Sequence, residues 1–211
     1  MRIDIWSDVA CPWCYLGNRY LEIAAEELGV ELDVHFRAFE LSPDSPVTSS
    51  KTMPEILASK YAMSLEQVTT MEAQMTERAA AVGLEYHLLS VQPTNTFDAH
   101  RVAQLAETLG LGIEMAKALF DAYFTKNELL GDHETLVTLA TSVGIDEQRV
   151  RSVLSSDEFA DDVRADELEA QEAGFTGVPT MVVDGRFAIP GAQPPDVLVR
   201  LLSRVMENDR T

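Results

Sequence analysis

Residues 11 to 14 read Cys-Pro-Trp-Cys and hold the only two cysteines of the chain. A short apolar run (Ile3, Ile5, Trp6) precedes them, and a helical pattern follows (Leu16, Tyr20, Leu21, Ile23, Ala24, Leu28). A strand that delivers a Cys-x-x-Cys to a helix N-terminus is an arrangement for thiol redox chemistry. The first four N–H groups of a helix lack intrahelical partners, and the helix dipole adds positive charge there; both favour a thiolate at Cys11. Cys14 follows at nearly one helical turn, close enough for a short disulfide. Pro12 suits the first turn, where its missing N–H costs nothing.

Other uses of two cysteines fit less well. A structural zinc site needs four ligands, and there is neither a second cysteine pair nor a suitably spaced pair of histidines. Two cysteines cannot hold an iron–sulfur cluster within one chain, although two chains could share one. A purely structural disulfide over so short a loop would constrain the unfolded chain very little.

The rest of the sequence must position this motif. At 211 residues with 46% hydrophobic content, the chain can bury one substantial core. Its formal charge of −19, from 35 acidic and 16 basic residues, argues against a nucleic-acid partner, since phosphate backbones need a basic face. No apolar run approaches the length of a membrane span. Met1-Arg2-Ile3-Asp4 leads straight into the first strand, with no room for a secretory leader before the motif, so a cytoplasmic location is expected. In that reducing compartment a disulfide is usually catalytic or sensing.

After the first helix, Gly29 closes the pattern and residues 30–39 alternate, with Leu32, Val34 and Phe36 on one face, predicting a second strand. The resulting βαβ unit carries the motif at the carboxyl end of its first strand. Ser42-Pro43-Asp44-Ser45-Pro46 marks a loop, and from about Met53 to about Ala173 the helical period dominates. Helices are expected near 54–61, 64–82, 97–109, 112–126, 132–143, 146–154 and 157–172. Ser64 with Gln67 reads as a capping box, and Asp132 with Thr135 more weakly so. Thr180–Val183 and Phe187–Ile189 then flank Asp184-Gly185, a hairpin signal, and Asp196 to Met206 forms a last amphipathic helix. The order βαβ, helical block, ββα predicts an α/β thioredoxin-like fold with a large all-helical insertion. The expected domains are a discontinuous thioredoxin-like domain (1–52 and 174–211) and a helical insertion domain (53–173).

Four blocks carry a family resemblance: Cys11-Pro12-Trp13-Cys14, Asn95-Thr96-Phe97-Asp98-Ala99-His100-Arg101, Gly177-Val178-Pro179-Thr180 and Ile189-Pro190-Gly191-Ala192-Gln193. With them the chain resembles the DsbA family of thiol–disulfide oxidoreductases, most closely its FrnE-like cytoplasmic branch. The resemblance implies disulfide oxidoreductase or isomerase activity through Cys11 and Cys14, and a cis Val178–Pro179 bond. Val178 would then pair with an extended substrate as an added strand does. It also implies supporting or substrate-binding roles for Pro12, Trp13, Val178, Pro179, His100 and Asn95, with the helix after Asn95 lying over the redox site. Cys11 is expected to be exposed and Cys14 shielded, and Trp13 and Tyr15 to line an apolar rim. Asp8 and Glu40 sit at strand ends near the motif, where they read as ordinary polar residues or as proton carriers. Met53, Met63, Met71 and Met75 read as core at helical spacing.

The expected partners are disulfide- or thiol-containing polypeptides or small molecules, with glutathione or another thiol as co-substrate. No bound cofactor and no metal are expected, and a homodimer is compatible with the sequence. Two rival functions stay open. One is a glutathione-dependent small-molecule isomerase or transferase of the same superfamily, whose members generally carry serine where Cys11 stands. The other is a redox-sensitive chaperone or metal-binding thiol protein.

Overall fold

The structure is a computed structural model that describes residues 1–208. Strand β1 (Arg2–Ser7), helix α1 (Pro12–Leu28) and strand β2 (Asp33–Ala38) form the βαβ unit, with β1 and β2 parallel. Seven helices follow: α2 (Met53–Tyr61), α3 (Leu65–Ala80), α4 (Phe97–Thr108), α5 (Gly112–Phe124), α6 (His133–Ser142), α7 (Glu147–Leu154) and α8 (Ala160–Glu172). Strands β3 (Thr180–Val183) and β4 (Phe187–Pro190) and helix α9 (Pro195–Asn208) complete the described chain. The sheet order is β2-β1-β3-β4, with β3 antiparallel to both neighbours.

Local chemistry accounts for the boundaries. Gly29 ends α1 at φ 62°, a left-handed conformation that glycine adopts without steric cost, and its N–H reaches back to the carbonyls of Ala25 and Glu26. Ser64 and Gln67 form a reciprocal capping box, and Asp132 accepts from the Thr135 N–H. A second box, Thr52 with Glu55, starts α2. Asp184 and Gly185 both have positive φ, as a type I′ turn requires, and the Arg186 N–H closes that turn on the Val183 carbonyl at 3.0 Å.

Register decides what each sheet face buries. Ile3 lies between Val34 and Val183, and Ile5 between Phe36 and Met181, so one face is apolar and receives α1 and α9 through Leu21, Ala24, Leu198 and Leu202. The alternate residues Asp4 and Trp6 face α8. The Trp6 Nε1–H donates to the Asp166 carbonyl at 2.9 Å, and its ring meets Phe175 edge to face at 5.1 Å. Helices α4, α5 and α8 all touch β2. The larger core joins Val9, Cys11, Cys14 and Leu16 to residues of α3 to α7. The redox motif therefore lies where the βαβ unit meets the helical block.

Candidate active site

Strand β1 ends at Ser7, and three residues carry the chain to the start of α1. The Cys11 N–H donates to the Asp8 carbonyl at 3.0 Å, which leaves Cys11 extended (φ −98°, ψ 111°) as the N-cap of α1, with Pro12 first in the helix. Cys14 lies within the first turn, its N–H bonded to the Cys11 carbonyl at 3.0 Å. Both thiols are free. The Val178–Pro179 peptide is cis, and the Cys11 Sγ lies 3.7 Å from the Val178 carbonyl oxygen. Pro179 is anchored from behind by the Gly191 N–H on its carbonyl at 2.7 Å. Gly17 permits the close approach of α1, since a Cβ there would sit 3.1 Å from Pro179 Cγ. Three of the four blocks singled out in the sequence thus meet at one point.

The two cysteines differ in access to the cleft. Cys11 faces a cleft of about 350 Å³ that is also lined by Asp8, Pro12, Trp13 and the facing sides of α2 and α3; Cys14 does not line it. Burial pushes the Cys14 thiol well above its ordinary pKa, and the adjoining Cys11 pushes it further, against the Ser7 hydroxyl and the Asp8 amide. Cys14 is therefore the member that keeps its proton. The expected exposure of Cys11 is not found: it is only 4% exposed, against 2% for Cys14. The Val178 carbonyl lies against the Cys11 sulfur, and Cys11 belongs to the core that joins α1 to the helical block.

Trp13 matches the rim position, 43% exposed on the cleft with the Arg78 guanidinium 5.8 Å above its ring. Tyr15 does not. It stacks on Phe120 at 5.0 Å and on Tyr86 at 5.8 Å, on the side of α1 away from the cleft, because residues 13 and 15 fall on different helix faces. Met53, Met71 and Met75 line the cleft; Met53 and Met75 also pack against the core, whereas Met71 is exposed rather than core. Sequence reasoning did not find Tyr86, whose buried hydroxyl donates to the Pro12 carbonyl at 2.7 Å and pins the start of α1. No motif signals it, because the contact crosses 74 residues.

Neither Asn95 nor His100 lines the cleft. Asn95 accepts from the Phe97 N–H at 2.9 Å and donates to the Pro43 carbonyl at 3.0 Å, so it starts α4 and ties it to the loop after β2. His100 is buried, with Nε2 3.6 Å from Asp8 Oδ1. Asp8 also accepts from the Leu41 N–H at 2.7 Å and the Ala10 N–H at 3.0 Å. Glu40, buried close by, meets Arg164 at 2.6 Å. Of the two strand-end carboxylates, Asp8 lines the cleft and Glu40 is buried outside its lining.

Burial pushes the Asp8 carboxyl up, but His100 and the Leu41 and Ala10 amides outweigh it and leave the group below the ordinary aspartate pKa. A carboxyl held lower in the folded state stabilises the fold above its unfolded pKa, and that contribution disappears as pH falls through the folded value. Asp8→Asn should therefore destabilise the protein at pH 7, by about 1.5–3 kcal/mol for hydrogen bonds to a charged group. The gap should shrink as pH falls below about 4, the ordinary aspartate pKa, and close only once pH passes below the depressed folded value. Urea unfolding of both proteins at pH 7 and pH 3 checks this; a gap of equal size at both values would contradict it.

Among the described residues, no group of three or more His, Cys, Asp or Glu side chains gathers as metal ligands, and no helix is long and apolar enough to cross a membrane. Comparison with known proteins gives a consistent outcome. The chain is 31% identical to YwbO of Bacillus subtilis (strain 168) over 205 residues, 96% of each protein. Among solved structures it is similar to a probable DsbA oxidoreductase of Streptomyces coelicolor, with TM-score 0.91, 38% identity, and 98% and 90% of the two chains covered. It shares a fold with the cytosolic disulfide reductase DsbM of Pseudomonas aeruginosa, solved with glutathione, with TM-score 0.67, 19% identity, and 98% and 100% covered. The family model for the DSBA-like thioredoxin domain matches residues 2–203, which include the cysteine pair, the cis proline and every helix between them. A strand-delivered Cys-x-x-Cys beside a cis proline, on a match of that extent, places this chain in the DSBA-like thioredoxin domain family.

Proposed function

We propose that the protein is a cytoplasmic thiol–disulfide oxidoreductase, FrnE-like in type, with Cys11 as nucleophile and Cys14 as resolving thiol. The observation that carries the reading is the asymmetry of the pair. Cys11 opens onto the cleft, while Cys14 lies behind it with its thiol held protonated. In reduction, the Cys11 thiolate attacks one sulfur of a substrate disulfide, forming a mixed disulfide and releasing the other sulfur as a thiolate. Cys14 then loses its proton and attacks the Cys11 sulfur. The Cys11–Cys14 disulfide forms, and the second substrate sulfur leaves as a thiolate that takes up a proton. Two electrons pass from the dithiol to the substrate, and an external thiol such as glutathione restores the reduced pair. Oxidation of a substrate dithiol is the same sequence reversed.

Support for the surrounding roles is geometric. The Val178 carbonyl beside the Cys11 sulfur is placed to pair with an extended chain, and Trp13 offers that chain an apolar face. Asn95 and His100 are assigned supporting roles, since they position the loop after β2 and the Asp8 carboxylate. The rival isomerase reading leaves a second cysteine at the redox site without a use.

The test is insulin disulfide reduction with glutathione as reductant, using the native chain and a chain in which Cys11 and Cys14 are both serine. Turnover is expected from the native chain alone. Equal rates in the two would sink the proposal.

A further inference from the structure

We propose that Glu72 recognises the ammonium group of the disulfide substrate, and that this substrate is a small peptidic disulfide carrying a free amine and carboxylates. The inference rests on the reading of Cys11 as nucleophile, and it names what that cleft takes. Glu72 lies on the cleft-facing side of α3, one turn before Met75 and two turns before Arg78. It is 94% buried, and its Oε2 has no hydrogen-bond partner. A buried carboxylate oxygen without a donor costs free energy in the empty site, and only an incoming donor removes that cost. Met71, Met75 and Ile56 line the same cleft, and no donor of the protein reaches Oε2.

The remaining charges in the cleft fit the same ligand. Arg78 and Lys60 line it, and neither has a carboxylate partner among the described residues, although the chain carries 35 acidic residues. Most of the other arginines are paired, for instance Arg37 with Asp4, Arg149 with Glu158 and Arg151 with Glu134. Two unpaired cations in a protein of net charge −19 offset the repulsion that a carboxylate-bearing ligand would otherwise meet. Arg78 sits on the Trp13 ring, next to the cysteines, and Glu72 lies six residues back along the helix, about 9 Å at 1.5 Å per residue. At about 3.4 Å per extended residue, two to three residues of an extended ligand span the separation between Glu72 and Arg78 along α3. Desolvation pushes the Glu72 carboxyl up in the empty cleft, and an arriving cation reverses that.

The test follows one turnover of pre-reduced protein, so no other reductant takes part. The probes are oxidised glutathione and its analogue lacking both α-amino groups, with thiol release read for the native chain and for Glu72→Gln. Native protein should react about ten- to hundredfold faster with the amine-bearing disulfide, the range for a hydrogen bond between charged groups. Glu72→Gln should react with the two at nearly the same rate. A second pair of probes, peptide disulfides with lysine or norleucine two residues from the cysteine, separates small-molecule from polypeptide amines. Dependence on glutathione's amine with indifference to lysine supports the proposal, whereas dependence on lysine alone overturns the small-molecule assignment. Equal native rates with both glutathione forms, or discrimination that persists in Glu72→Gln, overturns the role of Glu72. Absence of thiol release from every disulfide would instead mean that the redox reading of Cys11 has failed.

Discussion

Cys14→Ser should turn the protein into a trap: one substrate sulfur stays bound to Cys11, and multiple-turnover reduction falls by two orders of magnitude or more. The first step needs only Cys11, which faces the cleft and keeps its setting as N-cap of α1 beside the Val178 carbonyl. The second step needs a sulfur nucleophile within the first turn of α1, and a serine hydroxyl does not displace a thiolate from a disulfide. External thiol can still resolve the adduct, but it must enter a cleft walled by α2 and α3. Cys11→Ser should behave differently, with no adduct and no turnover, because Cys14 lies off the cleft and burial holds its thiol protonated. Intact-protein mass spectrometry after exposure to a disulfide reads both outcomes. A stable adduct on Cys11→Ser would reverse the assignment of nucleophile and resolving thiol, and full turnover by Cys14→Ser would remove the resolving role of Cys14.

The contrast between the cysteines shows what a sequence carries and what it lacks. Delivery of the motif by β1 to the start of α1 was legible because it rests on local patterns: a period-two run, a proline fit for the first helical turn and a glycine to stop the helix. The hairpin was equally legible, since Asp184-Gly185 meets a backbone requirement that few residues satisfy. The cis Val178–Pro179 bond beside Cys11 was reached only through resemblance, because no local pattern links Cys11 to Val178, 167 residues away.

Burial was the less legible quantity. Helices α2 and α3 announce themselves by caps and periodicity, yet nothing in their residues says that they wall the cleft onto which Cys11 faces. The same holds for Glu72, one of many acidic residues in a chain that has 35. What sets it apart is the lack of a partner once the helix is in place, a property of packing rather than of residue type. Asn95, His100 and Arg101 illustrate the converse. A helix-starting block reads as a cap followed by polar surface, but His100 and Arg101 are each only 4% exposed. Arg101 is satisfied by carbonyls distant in sequence, whereas His100 lies 3.6 Å from Asp8 with its Nε2 left without a hydrogen bond; both surroundings appear only when α4 meets its neighbours.

Arg101→Ala should be among the most destabilising single changes in the helical block, costing about 3 kcal/mol, the low end for breaking a buried charged network. Its guanidinium donates to the Glu158 carbonyl at 2.9 Å and to the carbonyls of Val153 and Ser156, and it pairs with Asp98 at 2.7 Å. These carbonyls gather at the C-terminus of α7, where the helix dipole also favours a cation. Removing the side chain leaves carbonyl oxygens facing a site that excluded water, and it unties α4 from the turn leading into α8. Arg101→Met separates charge from packing, because methionine keeps much of the apolar stem but offers no donor. It should lose nearly as much as alanine. Lysine keeps the charge, but it lacks the planar fork that meets several carbonyls at once and should recover only part of the loss. A chain of this size gives up about 2–4 °C of melting temperature per kcal/mol, so a drop of roughly 6–12 °C is expected for alanine. Urea unfolding of the three variants decides the matter: a methionine variant as stable as the native chain would show that Arg101 acts through its stem, not through the carbonyls it gathers.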